Sequence, residues 1–194
     1  MTMVDLGPQT RVVAGLAGAV GDGQLSAPTP CPRYAVRNLL GHLQMLAVAF
    51  RDAARKDLGA TTGTGPDAAV PDLGPGWREE LPAALRELAG AWRDPAAWTG
   101  STRAGGVDLP GEVAGAVVAD ELVIHGWDLA RALGLPYEPD PAALEAARTF
   151  LDAAAGDPDG GDGIFGPPVP VPAGATPLER AVGLSGRDPG WRRP

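Results

Sequence analysis

With 194 residues, the chain is long enough for one well-cored domain carrying an appended tail. A net charge of −8 and a pI of about 4.7, with no basic stripe, argue against a nucleic-acid partner. The single cysteine, Cys31, excludes an internal disulfide and a Cys-based zinc knuckle, and no apolar stretch approaches the length needed to span a bilayer.

Helical periodicity recurs along the chain, and sustained two-residue alternation does not. The first predicted helix runs from about Pro8 to Val20, with Val13, Leu16 and Val20 at heptad-like spacing and Pro8 suited to a first turn. A Gly/Pro-rich connector, Gly21 to Pro32, leads to a second helix at about Tyr34 to Leu58. That segment gathers Val36, Leu39, Leu40, Leu43, Leu46, Ala47 and Phe50 on one broad face. Gly59 to Gly76 reads as a loop. A third helix, Trp77 to Trp92, aligns Trp77, Leu81, Leu85, Leu88 and Trp92, with Pro82 expected in its first turn or at a kink.

The fourth helix is predicted from about Pro110 to Leu133, where Gly134 is a natural stop. A shorter fifth follows from Pro141 to Ala155. Gly156 to Gly174 is rich in Pro, Gly and Asp and is expected to be irregular, and Thr176 to Leu184 reads as a short helix. The pattern predicts an all-α protein: a bundle over residues 6–155 and a Pro/Gly-rich extension, 156–194, packed on it.

Only two histidines occur, His42 and His125, and Glu121 lies one helical turn before the second. Residues four apart on a helix share a face, with Cβ atoms about 6 Å apart, so this carboxylate and imidazole can close on one cation. His42 lies about 60° from Leu39 and about 40° from Leu46 on a helical wheel, at the border of the buried face. It can complete a His/Glu/His set. Three nitrogen and oxygen ligands with an open fourth position is the arrangement of a catalytic zinc site.

A simpler reading competes. Glu121 falls in the largely apolar run Val117–Leu129, where an unpaired carboxylate costs several kcal/mol. A Glu121–His125 hydrogen bond would satisfy it without metal. Asp128, three residues past His125, is an acceptor that fixes the imidazole tautomer, or else a solvent-facing carboxylate or an ion-pair partner of Arg131. Trp127 reads as packing. Cys31 sits in the stiff Pro28-Thr29-Pro30-Cys31-Pro32 segment with no activating histidine nearby in sequence, which argues against a nucleophile.

Several motifs coincide in order. TPCPRYAVRNLLGHL, residues 29–43, resembles the Pro-Cys-x-x-Trp-x-Val-x-Asp-Leu-x-x-His segment of the mycothiol-dependent maleylpyruvate isomerase-like proteins. These belong to the wider DinB/YfiT-like metalloprotein superfamily. DELVIHGWDLARALG, residues 120–134, resembles that family's Glu-x-x-x-His helix. FGPPVPVPAGATPLERAVGLSGRDPGW resembles the closing segment of an actinobacterial metal-binding subgroup. The resemblance spans about residues 6–191. Tyr34 stands where the family usually has Trp, and Asn38 where Asp is common.

The resemblance implies a DinB/YfiT-like four-helix bundle holding a divalent metal, typically zinc, on His42, Glu121 and His125. It also implies mycothiol as a co-substrate. The characterised isomerases append a further C-terminal domain, and the chain is expected to be too short for it. The leading functional expectation is a thiol-dependent, mycothiol-type S-transferase or isomerase-like enzyme that takes a small thiol and an electrophile. A metal-dependent hydrolase with Asp128 as base and a non-enzymatic metal-binding module are the alternatives. The start of the chain lacks a signal-peptide pattern, so a cytoplasmic monomer or homodimer is expected, without membrane or nucleic acid.

Overall fold

Four long helices form where the apolar spacing places them, and each buries its apolar stripe against two others. The computed structural model describes residues 3–65, 70–156 and 166–193. The bundle consists of α1 (Gly7–Gly18), α2 (Val36–Arg55), α4 (Trp77–Ala91) and α5 (Gly111–Leu133), with a single turn, α3 (Ala60–Gly63), after α2. α2 packs on α4 and α5, and α1 packs on the same two helices. Their common core contains Val13, Leu39, Leu40, Leu43, Leu81, Leu85, Leu88, Val118 and Leu122, all fully or almost fully buried. Each such side chain contributes about 1.5–3 kcal/mol relative to exposure.

α5 is buried nearly all round. One side faces α1 and α2. The other carries Val123, Ile124 and Trp127, which form a second core with Ala143, Ala147 and Leu151 of α6 (Pro141–Gly156) and Ala181 and Val182 of α7 (Pro177–Leu184). An all-round apolar helix is what a central position demands. Of the expected irregular stretch 156–174, residues 157–165 lie outside the described set. Gly166–Gly174 forms neither helix nor strand, and the Val169 N–H donates to the Gly183 carbonyl.

Three features differ from the sequence expectation. The stretch 59–76, expected as a loop, contains the one-turn helix α3, and residues 66–69 of it lie outside the described set. Ser101–Ala104 (β1) and Val107–Pro110 (β2) pair as an antiparallel hairpin, although the sequence shows no sustained alternation. Each strand is only one pair of alternations long. The turn residues Gly105 and Gly106 have φ of +59° and +82°, the left-handed conformation that a two-residue hairpin loop requires. The hairpin is tied to the bundle by the Thr102 hydroxyl, which donates to the Ala53 carbonyl at 2.6 Å. Pro82 falls beyond the first turn of α4, and the helix continues through it.

Candidate metal centre

α2 begins after a folded connector. The Thr29 hydroxyl donates to the Tyr34 carbonyl at 2.7 Å, and the Asn38 side chain accepts the Ala35 N–H at 3.2 Å while donating to the Pro71 carbonyl. These bonds satisfy groups that a bare helix start would leave open. They set the register that puts His42 one turn further on.

α5 is held from its other side. Gln9 of α1, fully buried, donates to the Leu122 carbonyl at 3.0 Å and to the Tyr137 hydroxyl at 2.9 Å, and accepts the Asp140 N–H. Tyr137 donates to the Val123 carbonyl at 2.7 Å. Gly126 makes room for this phenol, since a Cβ there would come within 2.7 Å of its oxygen. The carbonyls so fixed belong to the turn between Glu121 and His125.

The three residues singled out by spacing come together. His42 Nε2 lies 3.2 Å, and His125 Nε2 3.1 Å, from the same oxygen of Glu121, Oε2. One ligand atom from each lies within 4.8 Å of the others. Their side chains are 15%, 21% and 9% exposed for His42, Glu121 and His125, so solvent barely reaches the group. The Tyr34 ring flanks both imidazoles, with centroids 5.3 Å from His42 and 6.4 Å from His125. Tyr34 thus supplies the aromatic wall at the position where the resemblance shows Trp.

The electrostatics follow from this crowding. Burial alone would raise the Glu121 pKa, but the hydrogen bonds and charges of His125 and His42 outweigh it and hold the carboxyl well below the usual range. Burial alone would lower His125, but bonds to Asp128 and Glu121 push it up to about 9. Asp128 Oδ2 lies 2.9 Å from His125 Nδ1. Asp128 is therefore the acceptor for the imidazole; it is fully buried rather than solvent-facing, and the arginine it pairs with is Arg187. With Nδ1 engaged, Nε2 is the atom that His125 presents to Glu121.

The donor set fits a divalent cation. Two ligands on a tetrahedral zinc stand about 3.3 Å apart, close to the observed 3.1 and 3.2 Å separations. Cys31 is not among the three. Burial, then the charge of Asp128, pushes its thiol up, which opposes thiolate formation.

Two buried groups beside the site escape a sequence reading. Asp120, next to Glu121, is 2% exposed and its Oδ1 has no hydrogen-bond partner, while burial and then the Glu121 charge push its pKa well up. Arg187, far along the chain, places Nη2 3.3 Å from Asp128 Oδ2. Among the described residues, no helix is long and apolar enough to cross a membrane.

No curated protein matches the chain. Crystal structures of a mycothiol-dependent maleylpyruvate isomerase and of a histidine-to-alanine mutant of such an enzyme are similar, at 19% and 18% identity and TM-scores of 0.47 and 0.48. In each case 74% of this chain is covered. The chain spans 65% of the length of each, less than two thirds. Residues 6–130 match the Mycothiol maleylpyruvate isomerase N-terminal domain, a segment that holds all three converging donors and nearly all of the four bundle helices. On that match the chain belongs to the mycothiol maleylpyruvate isomerase N-terminal domain family.

Proposed function

We propose that the chain is a divalent-metal-dependent, thiol-using enzyme, with His42, Glu121 and His125 holding zinc. Mycothiol or a similar small thiol would be its co-substrate. The observation that carries this reading is the convergence of three nitrogen and oxygen donors on one buried point. Membership of a family described by mycothiol and maleylpyruvate isomerisation supports the choice of thiol.

His42, Glu121 and His125 would hold a zinc ion, which would supply the positive charge that makes a thiol nucleophilic at neutral pH. The residues do the rest. Glu121 contributes the single negative charge of the set. Asp128 fixes the His125 ring. Tyr34, whose ring flanks both imidazoles, would shield that side of the site from water. The sulfur then adds to an electrophilic carbon. In a transfer, a carbon–sulfur bond forms, the leaving group departs with its electron pair, and the thiol proton passes to solvent. In a cis–trans isomerisation the same addition is reversed after rotation about the carbon–carbon bond.

The hydrolase alternative needs a general base. Asp128 is fully buried and its Oδ2 is shared by His125 and Arg187, so it does not fill that role. A structural zinc takes four protein ligands, and among the described residues the group has three.

The test is consumption of monobromobimane with mycothiol present and absent. Thiol-dependent turnover that chelation removes, zinc restores and His125→Ala abolishes is expected. Equal turnover without thiol contradicts the reading.

A further inference from the structure

One buried ion pair ties the end of the chain to the candidate metal centre. α7 is anchored at its start by Thr176, whose hydroxyl accepts the Glu179 N–H at 3.2 Å while its own N–H donates to Glu179 Oε2 at 2.7 Å. The helix packs on α6, and its Ala181 and Val182 join the core that α6 shares with Val123, Ile124 and Trp127 of α5. Gly186 then takes φ of +79°, a conformation that suits glycine, and the Arg187 N–H closes on the Val182 carbonyl at 3.1 Å. This turn aims the Arg187 side chain inward. It is 13% exposed and reaches Asp128, which is 0% exposed.

Asp128 Oδ2 receives both His125 Nδ1 at 2.9 Å and Arg187 Nη2 at 3.3 Å. Arg187 Nη1 also donates to the Ser185 carbonyl at 2.9 Å. Two buried atoms of the pair remain without partners, Asp128 Oδ1 and Arg187 Nε. A guanidinium fork engages a carboxylate through Nε and Nη2 together, as Arg103 does here with Asp108 at 2.7 and 3.1 Å. The Arg187–Asp128 pair therefore has one bond of such a fork, and the atoms for the second are both buried.

A histidine that ligates through Nε2 is a neutral imidazole, which leaves Arg187 as the full positive charge on Asp128. A buried carboxylate stripped of its cation is costly and free to seek other partners. We propose that Arg187 is a positioning residue of the metal centre. It anchors Asp128, so that Asp128 holds the His125 ring with Nε2 turned toward Glu121 and the cation. The docked C-terminal segment thereby sets metal affinity from outside the segment, residues 6–130, that matches the family. The inference rests on the metal reading proposed above.

The test is competition for zinc between the full chain and a chromophoric chelator, with cobalt(II) absorption as a report on ligand geometry. Arg187→Gln is expected to weaken zinc binding about 10-fold, at the lower end of the range for outer-shell partners, and to shift the cobalt bands. Arg187→Gln combined with Asp128→Asn is expected to bind no more weakly than Asp128→Asn alone, because one residue acts through the other. If Arg187→Gln does not fold by circular dichroism, Arg187→Lys carries the same comparison: it keeps a cation but cannot form the fork, so weaker zinc binding in a folded chain is expected. Unchanged affinity and cobalt bands, or losses that add in full, overturn the proposal while leaving the metal reading intact. Failure of the wild type itself to bind zinc overturns both.

Discussion

His42 and Glu121 stand 79 positions apart in sequence and 3.2 Å apart in space. The contact joins α2 to α5, so half of the candidate site is built by one helical turn and half by tertiary packing. Leu39, Leu40 and Leu43 on α2 and Val118 and Leu122 on α5, all fully buried in one core, hold the two halves in register.

Binding at such a site is linked to folding. A ligand that binds only the native state at 100 times its Kd adds about 2.7 kcal/mol of stability. Zinc is therefore expected to raise the melting temperature of the wild type by several degrees, and His42→Ala to lose most of that rise. Scanning calorimetry with and without zinc reads this directly. An equal rise in both proteins contradicts the role of His42.

The metal-free protein is expected to show a two-sided pH dependence. His125 is raised from 6.5 to about 9, so its contribution is complete below about 6.5 and is lost as pH climbs through 9. Glu121 is lowered from 4.5, so its contribution is complete above 4.5 and is lost as pH falls toward its folded value. Melting temperatures should thus be highest between the two limits, with the alkaline decline flattened in His125→Gln. Stability that increases from pH 7 to 9 contradicts the assignment. Zinc affinity runs the other way, rising with pH up to about 9, because the His125 proton must leave before Nε2 can ligate.

Much of this is legible in the sequence, for identifiable reasons. The four bundle helices follow from apolar spacing, and the Glu121–His125 pair follows from helical geometry alone. His42 stands out because the chain has only two histidines and because the motif around it resembles a known family. The hairpin escapes because four-residue strands are too short for alternation to register, although the Gly105-Gly106 pair carries the signal. Arg187 escapes for a different reason. Its contact with Asp128 depends on how α7 docks and on the left-handed turn at Gly186, and neither is written in local periodicity.

Gly126 is expected to be intolerant of a methyl group. A Cβ there would come within 2.7 Å of the Tyr137 oxygen and 3.1 Å of its ring. Gly126→Ala should cost about 1–3 kcal/mol, as overpacking does. Gly90→Ala on α4, where a Cβ meets nothing within 4 Å, should instead stabilise by about 0.5–1 kcal/mol. Urea unfolding of the two variants checks the contrast, and equal effects would contradict it.

Cys31 is expected to be inert in the folded protein. It is buried, and its thiol is pushed up by burial and by Asp128. A thiol-specific chromogenic reagent should react slowly with the native chain and release one equivalent on unfolding. Cys31→Ala should bind zinc as the wild type does. Rapid labelling of the native protein, or loss of zinc in the variant, contradicts this.

Metal analysis of the purified chain bears most directly on the central claim. Near one equivalent of a divalent transition metal per wild-type chain is expected, with little in Glu121→Ala or His125→Ala that remain folded. Tight zinc sites survive mild purification, so less than about 0.2 equivalents in the wild type, with no uptake on adding zinc, would contradict the claim that His42, Glu121 and His125 form a metal centre.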